Sequence, residues 1–210
     1  MAKYTGKIFC VGFQKTGTTS IHRALDMLGY YVCGPAGRKP AWQALLAGQT
    51  PDQVLPDLID SWDAFEDNPF FWPRLVSEDR SFFEWAYERY PDARFVLTVR
   101  LERDRWLRSF ERLYKRQMES KREVFLQKHR EIYPEDALIA GDLDVCADLY
   151  EAYNERVRSF FADKPAGQFI ELCWERGDGW DELRDFLDVS GWDRLRTFGR
   201  AFPHQNRAAS

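Results

Sequence analysis

The sequence predicts an α/β protein built on a central parallel β-sheet of about five strands. Short apolar runs rich in β-branched and aromatic residues alternate along the chain with longer segments of helical periodicity. That alternation is typical of parallel sheets, in which a helix connects each strand to the next. The runs lie at residues 8–13, 30–33, 64–66, 95–100 and 169–173. Since no internal repeat, low-complexity segment or linker interrupts them, residues 1–210 are expected to form one domain.

The first strand leads through a glycine-rich turn into an amphipathic helix. Residues 7–20 read KIFCVGFQKTGTTS, and apolar residues then recur at helical spacing until Gly29, where the helix is expected to end. A helix that begins in this way points the unpaired N–H groups of its first turn at an anion, and its dipole adds to the field. The turn therefore predicts a binding site for a phosphate-like group.

The connections between the later strands are mostly helical in pattern. Helices are predicted at residues 41–46, 51–61, 103–114, 142–161 and 177–189. Residues 35–40 are rich in turn-forming residues and predict a loop. Residues 115–136 are dominated by charge and predict a helical excursion with a solvated surface, for which a lid is the alternative.

Composition and charge narrow the classes of function. Lys and Arg number 30 against 34 Asp and Glu, a net charge of −4, so no global basic field favours nucleic acid. The chain has no apolar run of membrane-spanning length, and its start, MAKYTGKIF, lacks the apolar core of an export signal. We therefore expect a cytoplasmic protein without a membrane or nucleic-acid partner. Nothing in the pattern indicates an oligomeric state.

The four cysteines predict buried thiols. Cys10, Cys33, Cys146 and Cys173 lie far apart without a C-x-x-C pair, and Cys10 and Cys173 fall inside apolar runs. In a cytoplasmic protein this arrangement favours free thiols over disulfides or metal ligands.

The position of one lysine separates the glycine-rich turn from an ATP-binding loop. In the Walker A pattern G-x-x-x-x-G-K-[ST], the lysine follows the second glycine and reaches the terminal phosphates. Here Gly12 and Gly17 have the right spacing, but Thr18 occupies the lysine position and Lys15 lies inside the loop. The nearest candidate for a Walker B strand, residues 64–67, is short and not very apolar. A P-loop kinase using ATP and magnesium is thus a weaker alternative, and a non-catalytic nucleotide-binding module is another.

Lys15-Thr16-Gly17-Thr18-Thr19 resembles the loop that binds the 5′-phosphosulfate in sulfotransferases, which use 3′-phosphoadenosine 5′-phosphosulfate (PAPS). Five segments follow this loop in an order that is similar to that of a small branch of the P-loop sulfotransferases, and together they cover nearly the whole chain. They are DNPFFWPRL, YPDARFVLTVR, WLRS, GWDELRDFLDV and FPHQNR. The resemblance implies a three-layer, P-loop-kinase-like fold. It also implies metal-independent transfer of a sulfuryl group from PAPS to a hydroxyl or amine of a small-molecule or carbohydrate acceptor. The product nucleotide is 3′-phosphoadenosine 5′-phosphate (PAP).

The resemblance assigns most of the donor-binding residues. The 5′ side is expected to be held by the loop: Lys15, Thr16, Gly17, Thr18, Thr19 and Ser20. The 3′-phosphate is expected at Arg100, which emerges at the carboxyl end of a strand, where ligands of parallel sheets collect.

Two further segments are expected to help hold the nucleotide. In the family a helix serine follows the strand-end arginine by eight residues; here Arg108 is the eighth and Ser109 the ninth, so both are candidates. Asn206 and Arg207 belong to a terminal segment that resembles one lying near the nucleotide. The alternative for Arg100 is an ordinary ion pair with a nearby carboxylate, Glu102 or Asp104.

Catalysis by such a protein needs a charge stabiliser and a base. Lys15 is expected to stabilise the leaving 5′-phosphate. The base is expected to be Asp67 or, second, Glu66, because both follow the third strand and open onto the same edge as Lys15. The alternative for these carboxylates is a plain turn before a helix. His22, one turn into the first helix, is a third candidate.

Overall fold

Five parallel strands form one sheet in the order β2-β3-β1-β4-β5. This computed structural model describes residues 3–67, 69–72, 76 and 79–203. The strands are β1 (Ile8–Cys10), β2 (Val32–Cys33), β3 (Ala64–Phe65), β4 (Arg94–Thr98) and β5 (Phe169–Leu172). Each strand lies within an apolar run of the sequence or overlaps one, and the ends of the runs belong to the loops. The predicted α/β class with a parallel five-stranded sheet is confirmed.

Helices flank both faces of the sheet. They are α1 (Thr18–Met27), α2 (Pro35–Leu46), α3 (Pro51–Asp60), α4 (Phe82–Arg89), α5 (Arg103–His129), α6 (Glu135–Ala140), α7 (Leu143–Phe161), α8 (Trp180–Phe186) and α9 (Gly191–Leu195). Because side chains alternate along a strand, β1 serves two cores. Phe9 packs with residues of α3, α4, α5 and α7, whereas Ile8 and Cys10 pack with α1 and α8. The three-layer, P-loop-like fold follows from these two cores.

Stacked aromatic rings fix the start of α5 beside the sheet edge. The Trp106 ring stacks on Phe110 at 4.8 Å and on Tyr150 of α7 at 4.7 Å between centroids. Its indole Nε1 donates to the carbonyl oxygen of Gln14 at 2.9 Å. The glycine-rich loop, α5 and α7 are therefore held in one arrangement through a single buried side chain.

Two local predictions were wrong. Residues 35–40 are helical, because Pro35 occupies the first helical position, where its fixed φ fits and its missing N–H costs nothing. The helix α4 was missed, although Ser81 and Glu84 form a capping box at its start.

The charged segment after residue 114 is only partly solvated. It continues α5 as helix to His129, with one non-helical residue, Lys121, at φ −151° and ψ 43°. Phe125, His129 and Tyr133 are buried in the main core or against it. The prediction of a solvated surface was therefore wrong for one face of this segment.

The four thiols are free and buried, as predicted. Across the described residues, none of the helices is both long and apolar enough to cross a bilayer. Within those same residues no group of three or more His, Cys, Asp and Glu side chains is arranged to hold a metal ion.

Candidate active site

A cleft of about 560 Å³ opens at the edge of the sheet where β1, β3 and β4 end. This is the edge at which open α/β sheets bind ligands. Its lining combines residues of the glycine-rich loop, of the two neighbouring strand ends and of α5. The predicted site residues that it brings together are Lys15, Gly17, Thr18, Thr19, Asp67, Arg100 and Ser109.

The loop after β1 has a tightly specified backbone. Lys15 has φ 72°, a left-handed conformation that costs a non-glycine residue about 1–2 kcal/mol. Its neighbour Thr16 is fully buried and donates its hydroxyl proton to the Phe13 carbonyl oxygen at 2.5 Å. The Thr98 hydroxyl of β4 is therefore the donor in the 2.6 Å contact with Thr16 Oγ1. The hydroxyl of Thr16 thus holds the loop to β4 and is not available to a ligand.

Both loop glycines are required by close packing. A Cβ at Gly12 would lie 2.6 and 2.7 Å from the backbone oxygen and nitrogen of Thr98. Gly17 has φ 97° at the start of α1, and a Cβ there would overlap the Trp174 indole ring. These positions let the loop approach β4 and β5 closely enough to bring their side chains into one cleft.

The start of α1 is an open anion-binding site. No side chain caps it and no acidic residue lies in its first turn, so its partial positive charge is not neutralised from within the helix. Thr18 and Thr19 line the cleft here, while Ser20 is buried. The Nε1 of Trp174, beside Gly17, is also buried and has no hydrogen-bond partner in the described part of the chain. An anion at this point would meet several unpaired donors.

The cleft has a concentrated positive charge. Burial lowers the pKa of Lys15, and the nearby charges of Arg116, Arg100 and Arg112 lower it further, against the opposing effect of Asp67. Because the charged form of Lys15 is destabilised in this way, an anionic ligand stabilises it more than it would stabilise an isolated lysine. The cleft is therefore built to receive negative charge.

Arg100 is fixed in place by its contacts. Its Nε donates to the Lys15 carbonyl oxygen at 2.7 Å and its Nη1 to Glu175 Oε1 at 3.0 Å. The Tyr150 hydroxyl accepts from its backbone N–H at 2.9 Å. The alternative ion pairs with Glu102 or Asp104 are not formed; Glu175, which follows β5, takes their place. Its Nη2 has no hydrogen bond to a described residue, so it remains able to bind an anion.

The structure distinguishes the two candidates that follow Arg100. Ser109 is buried and lines the cleft, whereas Arg108 is exposed and lies outside the lining. The longer turn after β4 therefore brings the ninth residue, rather than the eighth, to the cleft. Asn206 and Arg207 fall outside the described residues.

The three base candidates are joined in one network around Arg38. Glu66 Oε1 accepts from Arg38 Nη1 at 2.9 Å and contacts His22 Nδ1 at 3.0 Å. Asp67 Oδ2 accepts from Arg38 Nη2 at 3.2 Å. Glu66 is buried, and neither it nor His22 lines the cleft, whereas Asp67 does. Asp67 is thus the carboxylate that shares a space with Lys15.

A second network, which the sequence did not predict, ties the loop to the end of α5. Burial lowers the pKa of His129 to about 4, so its ring is neutral at neutral pH. Its Nδ1 lies 2.8 Å from the Phe125 carbonyl oxygen and its Nε2 lies 3.1 Å from Gln14 Oε1. Both oxygens are acceptors, so a neutral ring, which has one N–H, donates to one of them at a time. The Gln14 amide is also 3.3 Å from the Tyr133 hydroxyl. The loop and the second half of α5 therefore form one wall.

Comparison with known protein families identifies the kind of domain that this chain forms. A family model described as a sulfotransferase domain matches residues 7–210 of the chain. No curated protein matches the chain significantly. The matched span contains the loop, both strand ends and α5, which together form the cleft.

Proposed function

The chain belongs to the sulfotransferase family, and from that premise we propose that it is a cytoplasmic, single-domain enzyme that uses PAPS as donor. It transfers the sulfuryl group to a hydroxyl or amine of a small-molecule or carbohydrate acceptor. The observation that carries the proposal is that one cleft holds two candidate anion sites, at Lys15 in the loop after β1 and at Arg100 just after the neighbouring β4. A nucleotide with phosphates on both sides of its ribose uses both sites, and a nucleoside triphosphate has no use for the second.

The donor set of the cleft fits PAPS. Lys15, the first-turn amides of α1 and the hydroxyls of Thr18 and Thr19 would hold the 5′-phosphosulfate. The unpaired Nη2 of Arg100 and the hydroxyl of Ser109 would hold the 3′-phosphate. When bound, PAPS supplies the sulfuryl group and the leaving nucleotide. Asn206 and Arg207 remain proposed contacts to that nucleotide.

In this proposal the residues of the chain align donor and acceptor and neutralise the charge that develops during transfer. Group transfer of this kind leaves the protein little covalent work. The ammonium of Lys15 stabilises negative charge on the leaving oxygen. Asp67 takes the proton of the acceptor hydroxyl or amine, and Arg38 holds its carboxylate in position. Arg108 has no role here because it lies outside the cleft lining.

The first test is which nucleotide the protein prefers. We expect PAP to bind about 10- to 100-fold more tightly than ATP with magnesium, because one charge-assisted contact contributes about 1.5–3 kcal/mol. Calorimetry with both nucleotides measures this directly. Tighter binding of ATP with magnesium would favour the kinase alternative, and tight PAP binding without transfer from labelled PAPS would favour a non-catalytic module.

A second test isolates the 3′-phosphate site. PAP and adenosine 5′-phosphate differ only in the 3′-phosphate, and we expect replacement of Arg100 to remove most of the preference for PAP. Because Arg100→Gln alone would leave the charge of Glu175 facing the ligand, the variant measured is the double Arg100→Gln/Glu175→Gln. Glu175→Gln alone is the control and should keep the preference. A PAP preference that survives in the double variant would contradict the assignment.

A further inference from the structure

The second half of α5 forms a basic wall on the side of the cleft opposite Arg100. Lys121 has a non-helical backbone, and from this residue onward α5 contributes five residues to the cleft lining: Lys121, Val124, Phe125, Lys128 and His129. The spacing of Val124, Phe125, Lys128 and His129 puts these four on one helix face, and the burial of Phe125 and His129 anchors that face against the core. This stretch, residues 121–129, is called the α5 wall below.

Contacts with α2 show which side of the cleft the α5 wall occupies. The Lys128 Nζ lies 4.8 Å from the centroid of the Trp42 ring on α2. The same helix carries Arg38, which binds both carboxylates at the end of β3. In the sheet, β3 lies on one side of β1 and β4 on the other. Lys128 is therefore on the Asp67 side of the Lys15 loop, and Arg100 is on the opposite side.

The cations of this wall have no counter-ion among the described residues. Neither Lys121 nor Lys128 forms an ion pair with a described residue. Of the described residues that line the cleft, Asp67 alone carries a carboxylate, and it is paired with Arg38. Both ammonium groups line the same cleft, so an anion bound there is stabilised by their charges. Val124, 48% exposed beside them, offers an apolar contact to the rest of the same ligand.

From this charge and its location we infer that the acceptor itself is anionic. Its acidic group, a carboxylate or a phosphate ester, is bound by Lys121 and Lys128 while its hydroxyl or amine faces Asp67. The inference rests on the proposed function, because the donor's phosphates are assigned to Lys15, α1 and Arg100 and leave the Asp67 side to the acceptor.

The experiment measures binding of matched acceptors to the PAP-loaded protein by calorimetry. One pair is 4-hydroxybenzoate and its methyl ester; the other is glucosamine 6-phosphate and glucosamine. We expect the charged member to bind about tenfold more tightly than the neutral one, the scale of one charge-assisted contact. A preference in the first pair alone assigns a carboxylate, and one in the second pair alone assigns a phosphate ester.

Variants show whether the α5 wall is responsible. Lys121→Gln/Lys128→Gln should remove the preference and leave the affinity for PAP unchanged. Arg122→Gln/Arg130→Gln changes the net charge equally at exposed positions of the same segment outside the cleft lining, and should keep the preference. Equal binding of charged and neutral members, no binding of any of them, or a loss of PAP affinity in the first double variant overturns the inference. Failure of wild-type protein to bind PAP instead overturns the proposed function, and this inference with it.

Discussion

Replacement of Lys15 by alanine is expected to lower sulfuryl transfer by about 10²-fold or more, the scale found when one preorganised charge stabiliser is removed. Lys15 lies at the centre of the cleft, and the surrounding arginines and its own burial make its ammonium costly without an anion. That cost is recovered when negative charge develops beside it. The effect is measured as turnover of labelled PAPS by the purified variant, after its circular dichroism spectrum has been shown to match that of the wild-type protein.

The control for this variant is a lysine outside the cleft. Lys115 of α5 is exposed and pairs with Glu111 on its own helix, so Lys115→Ala should keep near-wild-type turnover. Turnover of Lys15→Ala within about threefold of that control, well below the scale of an electrostatic stabiliser, would remove Lys15 from the catalytic assignment.

The sequence predicted the parts of the site that are local in the chain. The loop around Lys15 was recognised from its glycines and threonines, which lie close together in the sequence, although their packing partners, Thr98 and Trp174, do not. Arg100 was predicted because it ends a strand, and parallel strands end at a common edge. The fold class followed in the same way from strands and helices that alternate.

The parts that were missed depend on contacts between distant segments. Arg38 lies in a stretch with turn composition, and its role appears only when α2 brings it against Glu66 and Asp67, 28 and 29 residues away. Glu175 meets Arg100 across 75 positions. No local pattern encodes such pairs, because the same charged residues in sequence are equally compatible with a solvated surface.

The charged segment after residue 114 is a second case in which contacts between distant residues could not be predicted from the sequence. Its many charges predicted a solvated surface, and most of them are exposed. Three buried rings, Phe125, His129 and Tyr133, nevertheless hold one face in place. Amphipathic packing around an interrupted helix is not visible in composition, since the non-helical turn at Lys121 changes the helical phase.

Asp67→Asn is expected to reduce turnover by about 10²- to 10⁴-fold, the contribution typical of a general base, while PAP affinity stays unchanged. Asp67 has φ 63°, and asparagine accepts this left-handed conformation readily, so the substitution removes the proton acceptor without altering the backbone. Turnover of labelled PAPS and calorimetry with PAP, on the same preparation, separate the chemical step from binding.

The chain provides a matched control for this substitution. Asp188 also has a left-handed backbone, at φ 52°, and also pairs with an arginine, Arg94, far from the cleft. Asp188→Asn therefore reproduces the structural cost of Asp67→Asn and should leave turnover unchanged. If Asp67→Asn behaves like Asp188→Asn, and Glu66→Gln or His22→Ala abolishes activity, the base is one of those two residues. In that case the acceptor's proton would pass to Glu66 directly or through His22, whose Nδ1 lies 3.0 Å from Glu66 Oε1.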